Sequence, residues 1–316
     1  MKKLGIDSVL EFTRAQDVTQ IATPYSFLCE MLGDSMQKIS ATNLSIVPYE
    51  SVQINPINSF SNASNTSVSE LDMMISINSP QLELNSYKLV LSKWQKLNKN
   101  IKDAWANRNK KKKNKKKKRQ LQNASKREYY DDLPYNVMRL KNDLFEEIAR
   151  HMSNLSIIYN QPHKIKVVTN QELGLTFNVY IAIQVGDLTK FWNPALNDFD
   201  VYDLKKMRNK ISSKTKDIGQ NFLNVFRVFN NLYYYTTKKQ PPIAMIESIM
   251  LSIPEKLFEG NEDDCFCSVI NYLLNIKAVT MFKESNIEEF VRTKSIQGQI
   301  KSQIVSFIKS LGKILI

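Results

Sequence analysis

The chain has 316 residues, enough for about two domains of ordinary size; 42% hydrophobic and 24% charged residues with a net charge of +13 exclude wholesale disorder but leave a basic excess to place. No apolar stretch reaches the ~20 residues that cross a bilayer, and Asp7 and Glu11 stand where a signal peptide needs an apolar segment, so the expectation is a soluble, cytoplasmic protein without a membrane span. Three cysteines, with Cys265 and Cys267 two apart, suit reduced thiols; two histidines, His151 and His163, exclude a multi-histidine metal site, so any metal must sit mainly on carboxylates as Mg²⁺ or Mn²⁺.

Thr23 and Pro24 read as the cap and first residue of a helix that carries Phe27, Leu28, Met31 and Leu32 at helical spacing and runs to about Ser40. Residues 43–58 are strand-like or irregular, 59–69 form a polar, turn-prone stretch, and a strand reads from Leu71 to Ile77. An insertion follows at about 85–132, its early part, Tyr87 to Trp105, having helical character. Between Lys102 and Arg127 it holds thirteen positive residues against the single Asp103, so that +12 of the net +13 lies there. The densest run is Lys110, Lys111, Lys112, Lys113, Lys115, Lys116, Lys117, Lys118 and Arg119. Charge this dense repels itself and buries nothing, which makes the segment an appendage to a near-neutral body. It is either a polyanion tether that releases counterions from RNA or DNA, or a solvated low-complexity insertion grown by drift.

Pro134 opens the next helix, whose Val137, Leu140, Leu144, Ile148 and Met152 form one apolar stripe. Two β-branched, alternating strands come next, Lys164 to Thr169 and Leu175 to Val185. From about Leu204 the character is helical, with helices expected over Phe222–Leu232, Ala244–Ile253, Cys267–Ile276 and Ile296–Ile316. Tyr233, Tyr234 and Tyr235 cannot share one helix face and read as core and surface packing rather than a base-stacking platform. The amphipathic C-terminal helix, with Ile304, Phe307, Ile308, Leu311, Ile314 and Leu315 on one side, reads as closing the helical half. The fold class is α+β: a mixed-sheet unit over 1–200 interrupted by the basic insertion, then a helical unit over 201–316.

The stretch INSFSNASNTSVSELDMMISI at 57–77 carries the chemistry. It resembles the signature of the DNA polymerase beta-like nucleotidyltransferase superfamily, a Gly-Ser turn followed about ten residues later by an acidic, hydrophobic, acidic triplet at a strand start. Ser59 stands in the serine position and Glu70 and Asp72 in the acidic pair. The order of helix, strand pair and helical half, including the stretches at 222–232 and 241–248, is similar to poly(A) polymerases, oligoadenylate synthases and bacterial cyclic-oligonucleotide synthases. The resemblance implies that Ser59 and Ser64 meet a triphosphate and that Glu70 and Asp72 hold Mg²⁺ or Mn²⁺. Two such ions would activate an attacking hydroxyl and stabilise leaving pyrophosphate.

Five departures mark a divergent member. Asn58 replaces the glycine before the serine, Ala63 and Ser64 replace a second small pair, and Glu70 replaces an aspartate. The third carboxylate position is Asn178, a neutral ligand and a poor base. The phosphate-binding helix motif reads Arg227 to Asn230, keeping the arginine and losing its lysine. Two functions remain open at this level. One is a nucleotidyltransferase-like protein that binds an NTP or nucleic acid, inactive or transferring NMP with Mg²⁺ through Glu70, Asp72 and Asn178, with Ser59, Ser64 and Arg227 on the nucleotide. The other is a non-enzymatic nucleic-acid-binding or scaffold protein that uses the Lys110–Arg119 run. Neither the oligomeric state nor the base used is legible.

Overall fold

The computed structural model describes residues 19–56, 70–87, 134–152, 156–169, 175–196, 198–237, 239 and 241–315. Helix α1 (Thr19–Thr42) begins four residues before the expected cap and keeps Pro24 inside. The proline ring removes only the bond to the Gln20 carbonyl, near an end where helical bonds are fewest. Strand β1 (Val52–Pro56) follows a single 3₁₀ turn, and β2 (Glu70–Ile77) is the expected strand with one residue added. Helix α2 (Val137–Met152) starts at Asn136, whose Oδ1 accepts from Met138 N at 2.9 Å and Arg139 N at 3.1 Å, so the cap is this asparagine rather than Pro134. Strands β3 (Ser156–Asn160), β4 (Ile165–Thr169), β5 (Thr176–Val185), β6 (Leu188–Asn193) and β7 (Asp198–Tyr202) complete the sheet.

The helical half comprises α3 (Leu204–Ile218), α4 (Gln220–Thr237), α5 (Met245–Ser252), α6 (Glu262–Asn275), the short α7 (Ala278–Glu284) and α8 (Ile287–Phe290), and α9 (Lys294–Leu315). Helix α6 starts five residues earlier than the apolar spacing indicates. Asn261 accepts from Asp264 N at 2.9 Å, and Glu262, Asp263 and Asp264 oppose the helix dipole in the first turn. Asp203 caps α3 in the same way, accepting from Lys206 N at 3.0 Å.

The strand order is β1-β2-β5-β4-β3, with β6 paired to β5 beyond β4 and β7 paired to β6. Only β2 and β5 run parallel; the other pairs are antiparallel. Because strand side chains alternate, the two faces of the sheet bury into different cores. Met73, Ile75, Ile77, Phe177, Val179 and Ile183 pack with Leu28, Leu32 and Met36 of α1 and Leu140, Leu144 and Ile148 of α2. Met74, Ala182, Phe191 and Tyr202 face the other way and join Leu204, Met207, Phe222, Phe229 and the rest of the helical core. Tyr233 is buried, with its ring 5.4 Å from that of Phe307 on α9, and Ile304, Leu311 and Ile314 are buried beside it, so the terminal helix closes this core. No described helix is long and apolar enough to cross a membrane.

Candidate functional site

The even-numbered residues of β2 share the sheet face that meets the helical half, and the register fixes what stands beside them. Asp72 lies opposite Asn178 of β5, and Asn178 lies opposite Lys166 of β4, so one row crosses three strands. One step back along the strands, Glu70 is registered with Thr176. Asp72 is half-buried and Asn178 is 1% exposed. Asn178 Nδ2 donates to Asp72 Oδ1 at 2.8 Å, while Asn178 Oδ1 is buried without a hydrogen-bond partner among the described residues. A carboxylate at position 178 would repel Asp72 at this separation; the amide binds it instead.

Cations border the row. Lys166, half-buried, is joined by Lys164, one residue before β4, whose Nζ lies 5.6 Å from the centre of the Tyr180 ring. Tyr180 meets Phe191 edge-on at 6.2 Å, and Phe191 meets Tyr202 at 5.8 Å, an aromatic floor between sheet and helices. Sequence reasoning passed over both lysines. The signal was their spacing of two at the start of the expected strand from Lys164 to Thr169, but only the β4–β5 register sets Lys166 in the row with Asp72.

Arg227 sits on α4, half-buried, and donates to Asn224 Oδ1 at 3.4 Å; Asn224 in turn donates to Glu262 of α6 at 2.9 Å. Asn230, in the place of the family's lysine, is buried and turns back to its own helix, donating to the Phe226 carbonyl at 3.0 Å. Arg227 thus contacts its own helix, and Asn224 links that helix to α6. Ser59, Ser64 and the run from Lys110 to Arg119 lie outside the described residues, as does the side chain of Glu70. Among the described residues there is no group of three or more His, Cys, Asp or Glu side chains placed to hold a metal ion.

The described residues, a mixed sheet with a helical half on the face of Asp72 and α1 and α2 on its back, have the α+β nucleotidyltransferase fold. It is similar in structure to the CdnE c-UMP-AMP synthase of Rhodothermus marinus, solved with Apcpp and Upnpp, at a TM-score of 0.54 and 14% identity over 96% of this chain and 95% of that one. The CdnE cyclic dinucleotide synthase of Elizabethkingia meningoseptica, solved with GTP and Apcpp, superposes at a TM-score of 0.49 and 14% identity, covering 87% of this chain and 89% of that chain. No protein-family model matches the sequence, and no curated protein matches it.

Proposed function

We propose that this protein binds a nucleoside triphosphate with Mg²⁺ over the β2–β5 face, as a divergent nucleotidyltransferase whose NMP transfer is slowed by the amide at position 178. The observation that carries this reading is the Asp72–Asn178 pair at 2.8 Å in register on a fold otherwise shared with NTP-using synthases. The residues suit one hard cation. Asp72 offers a carboxylate, and the buried, unpartnered Asn178 Oδ1 offers a neutral oxygen that a half-turn of the amide brings toward it. Mg²⁺ is commonly held by one or two carboxylates plus substrate phosphates, and in this reading Glu70 is the second carboxylate. When bound, the ion neutralises the triphosphate and stabilises departing pyrophosphate. Lys166 adds fixed positive charge beside the phosphates, and Ser59, Ser64 and Arg227 are further nucleotide contacts. Asn178 cannot take the proton of an attacking hydroxyl, which removes a contribution of about 10²–10⁴-fold in rate.

The test is calorimetric titration of each NTP with Mg²⁺ or Mn²⁺, followed by incorporation from labelled NTPs, in wild type, Asp72→Ala and Asn178→Asp. Metal-dependent binding weakened at least tenfold by Asp72→Ala is expected, with incorporation raised about 10²-fold or more by Asn178→Asp. Binding that ignores both the metal and Asp72→Ala overturns the site; wild-type turnover that Asn178→Asp does not raise overturns the role of the amide. A second reading, non-enzymatic binding of RNA or DNA, is favoured by the +12 charge of residues 102–127.

A further inference from the structure

The sheet face that carries Asp72 continues through Met74 to Ser76, and beyond Met74 it opens into a cavity of about 350 Å³ lined by Gln53, Ser76, Gln184, Arg208 and Asn209 among others. Ser76 lies four residues from Asp72, about 13 Å along a strand, and buried Met74 stands between them, so the cavity is separate from the Asp72–Asn178 pair. Its volume is that of a small-molecule site.

Met74 and Leu204 give the cavity an apolar floor. The Gln184 amide is fixed as a wall: its Oε1 accepts from Thr189 Oγ1 at 3.1 Å and its Nε2 donates to the Gly186 carbonyl at 2.9 Å. At the rim Lys205 is paired with Asp187 at 2.9 Å. The second cation lining the cavity is Arg208 on α3. Partial burial depresses its pKa, and the charge facing it from the helical side is Glu247, a carboxyl that burial pushes up to about 7. Arg208 lines the cavity, whereas Glu247 does not. Gln53 and Asn209 are exposed at the mouth, and each carboxamide presents a donor next to an acceptor, the pairing a heteroatom ring edge satisfies.

We propose that this cavity binds a compact organic anion, with a phosphate or carboxylate on Arg208 and a hydrogen-bonding ring against Gln53 and Asn209. The ligand requires neither Asp72 nor a metal ion. The full-length chain is titrated calorimetrically, without NTP, against two sources of the same chemistry: the four nucleoside 5′-monophosphates, and the ring carboxylates orotate and nicotinate. Inorganic phosphate is the ringless control. One of the ring-bearing probes is expected to bind one to one, at least tenfold more tightly than inorganic phosphate. Its Kd should rise at least tenfold in Arg208→Gln and in the double variant Gln53→Ala/Asn209→Ala, and stay unchanged in Asp72→Ala. Because Gln53 and Asn209 are exposed, the double variant decides the matter if Arg208→Gln fails to fold. Absence of binding by every probe, binding that survives the double variant, or binding lost in Asp72→Ala overturns the proposal.

Discussion

At the scale of single residues, the site turns on one atom exchange. Asn178 is 1% exposed and donates to the half-buried Asp72, so Asn178→Asp would place two carboxylates within about 3 Å, one of them shielded from water. One of the two then takes a raised pKa. The folded state would bind a proton that the unfolded state has released, so stability is expected to fall as pH rises from about 4 to 7. Without metal, Asn178→Asp should be less stable than wild type at pH 7 by about 1–3 kcal/mol and near wild type at pH 4. Added Mg²⁺ should restore the difference, since an ion between the carboxylates replaces the lost donor. Urea unfolding at the two pH values with and without Mg²⁺ measures this. Equal stability at pH 7 without metal would mean that the 2.8 Å contact contributes nothing. Glu70 and Asp72 could be proposed from the sequence because their spacing is local. Lys164 and Lys166 could not, because their place beside that pair depends on pairing between strands that the sequence does not state.

At the scale of elements, α5 shows how much the helical half invests in buried polarity. The eight-residue helix leaves its last carbonyls without helical partners, and Lys214 of α3 donates to three carbonyls there, those of Met250, Leu251 and Ile253. Toward the start of the same helix Glu247 is buried, with Arg208 as its charge partner and a pKa pushed up from 4.5 to about 7. A raised carboxyl pKa contributes fully below the unfolded value and loses that contribution as pH climbs through the folded one. Glu247→Gln is therefore expected to match wild type near pH 4.5 and to exceed it by about 2–3 kcal/mol at pH 8, read from thermal or urea unfolding across that range. A constant difference between the two across pH would place the titration elsewhere. Elements with a one-sided apolar pattern, β2, β5 and α2, were legible in sequence within about three residues. The β6–β7 hairpin was not, because Phe191 and the adjacent Trp192 bury into opposite cores and erase the alternation that marks a half-exposed strand. The tight turn leading into it at Gly186, with φ of 60°, was the one local signal available. Strand β3 escaped for the opposite reason: at the sheet edge, Ile157 and Tyr159 are about half exposed, and five residues give too short a pattern.

At the scale of the whole molecule, the net charge is concentrated in one segment of the chain. The sheet and the helices enclose two cores, and the body outside residues 102–127 carries a net charge of only +1, whereas that segment carries +12. A nearly neutral body gives no long-range pull on a polyanion, so any affinity for nucleic acid beyond a bound nucleotide must come from the lysine run. Deleting residues 108–119 is expected to weaken binding to a single-stranded oligonucleotide at least tenfold at about 0.1 M salt. It should also flatten the dependence of log K on log salt by several units, at about 0.7 for each phosphate no longer neutralised. Because the run holds no apolar side chain to bury, the same deletion should change the unfolding free energy by no more than about 0.5 kcal/mol. Fluorescence anisotropy across a salt series, with unfolding curves of both proteins, measures the two effects together. An unchanged salt slope would assign the run to a solvated insertion and leave the folded face around Asp72 as the sole nucleotide contact; a lower slope with metal-dependent NTP binding intact would show that tether and site act independently.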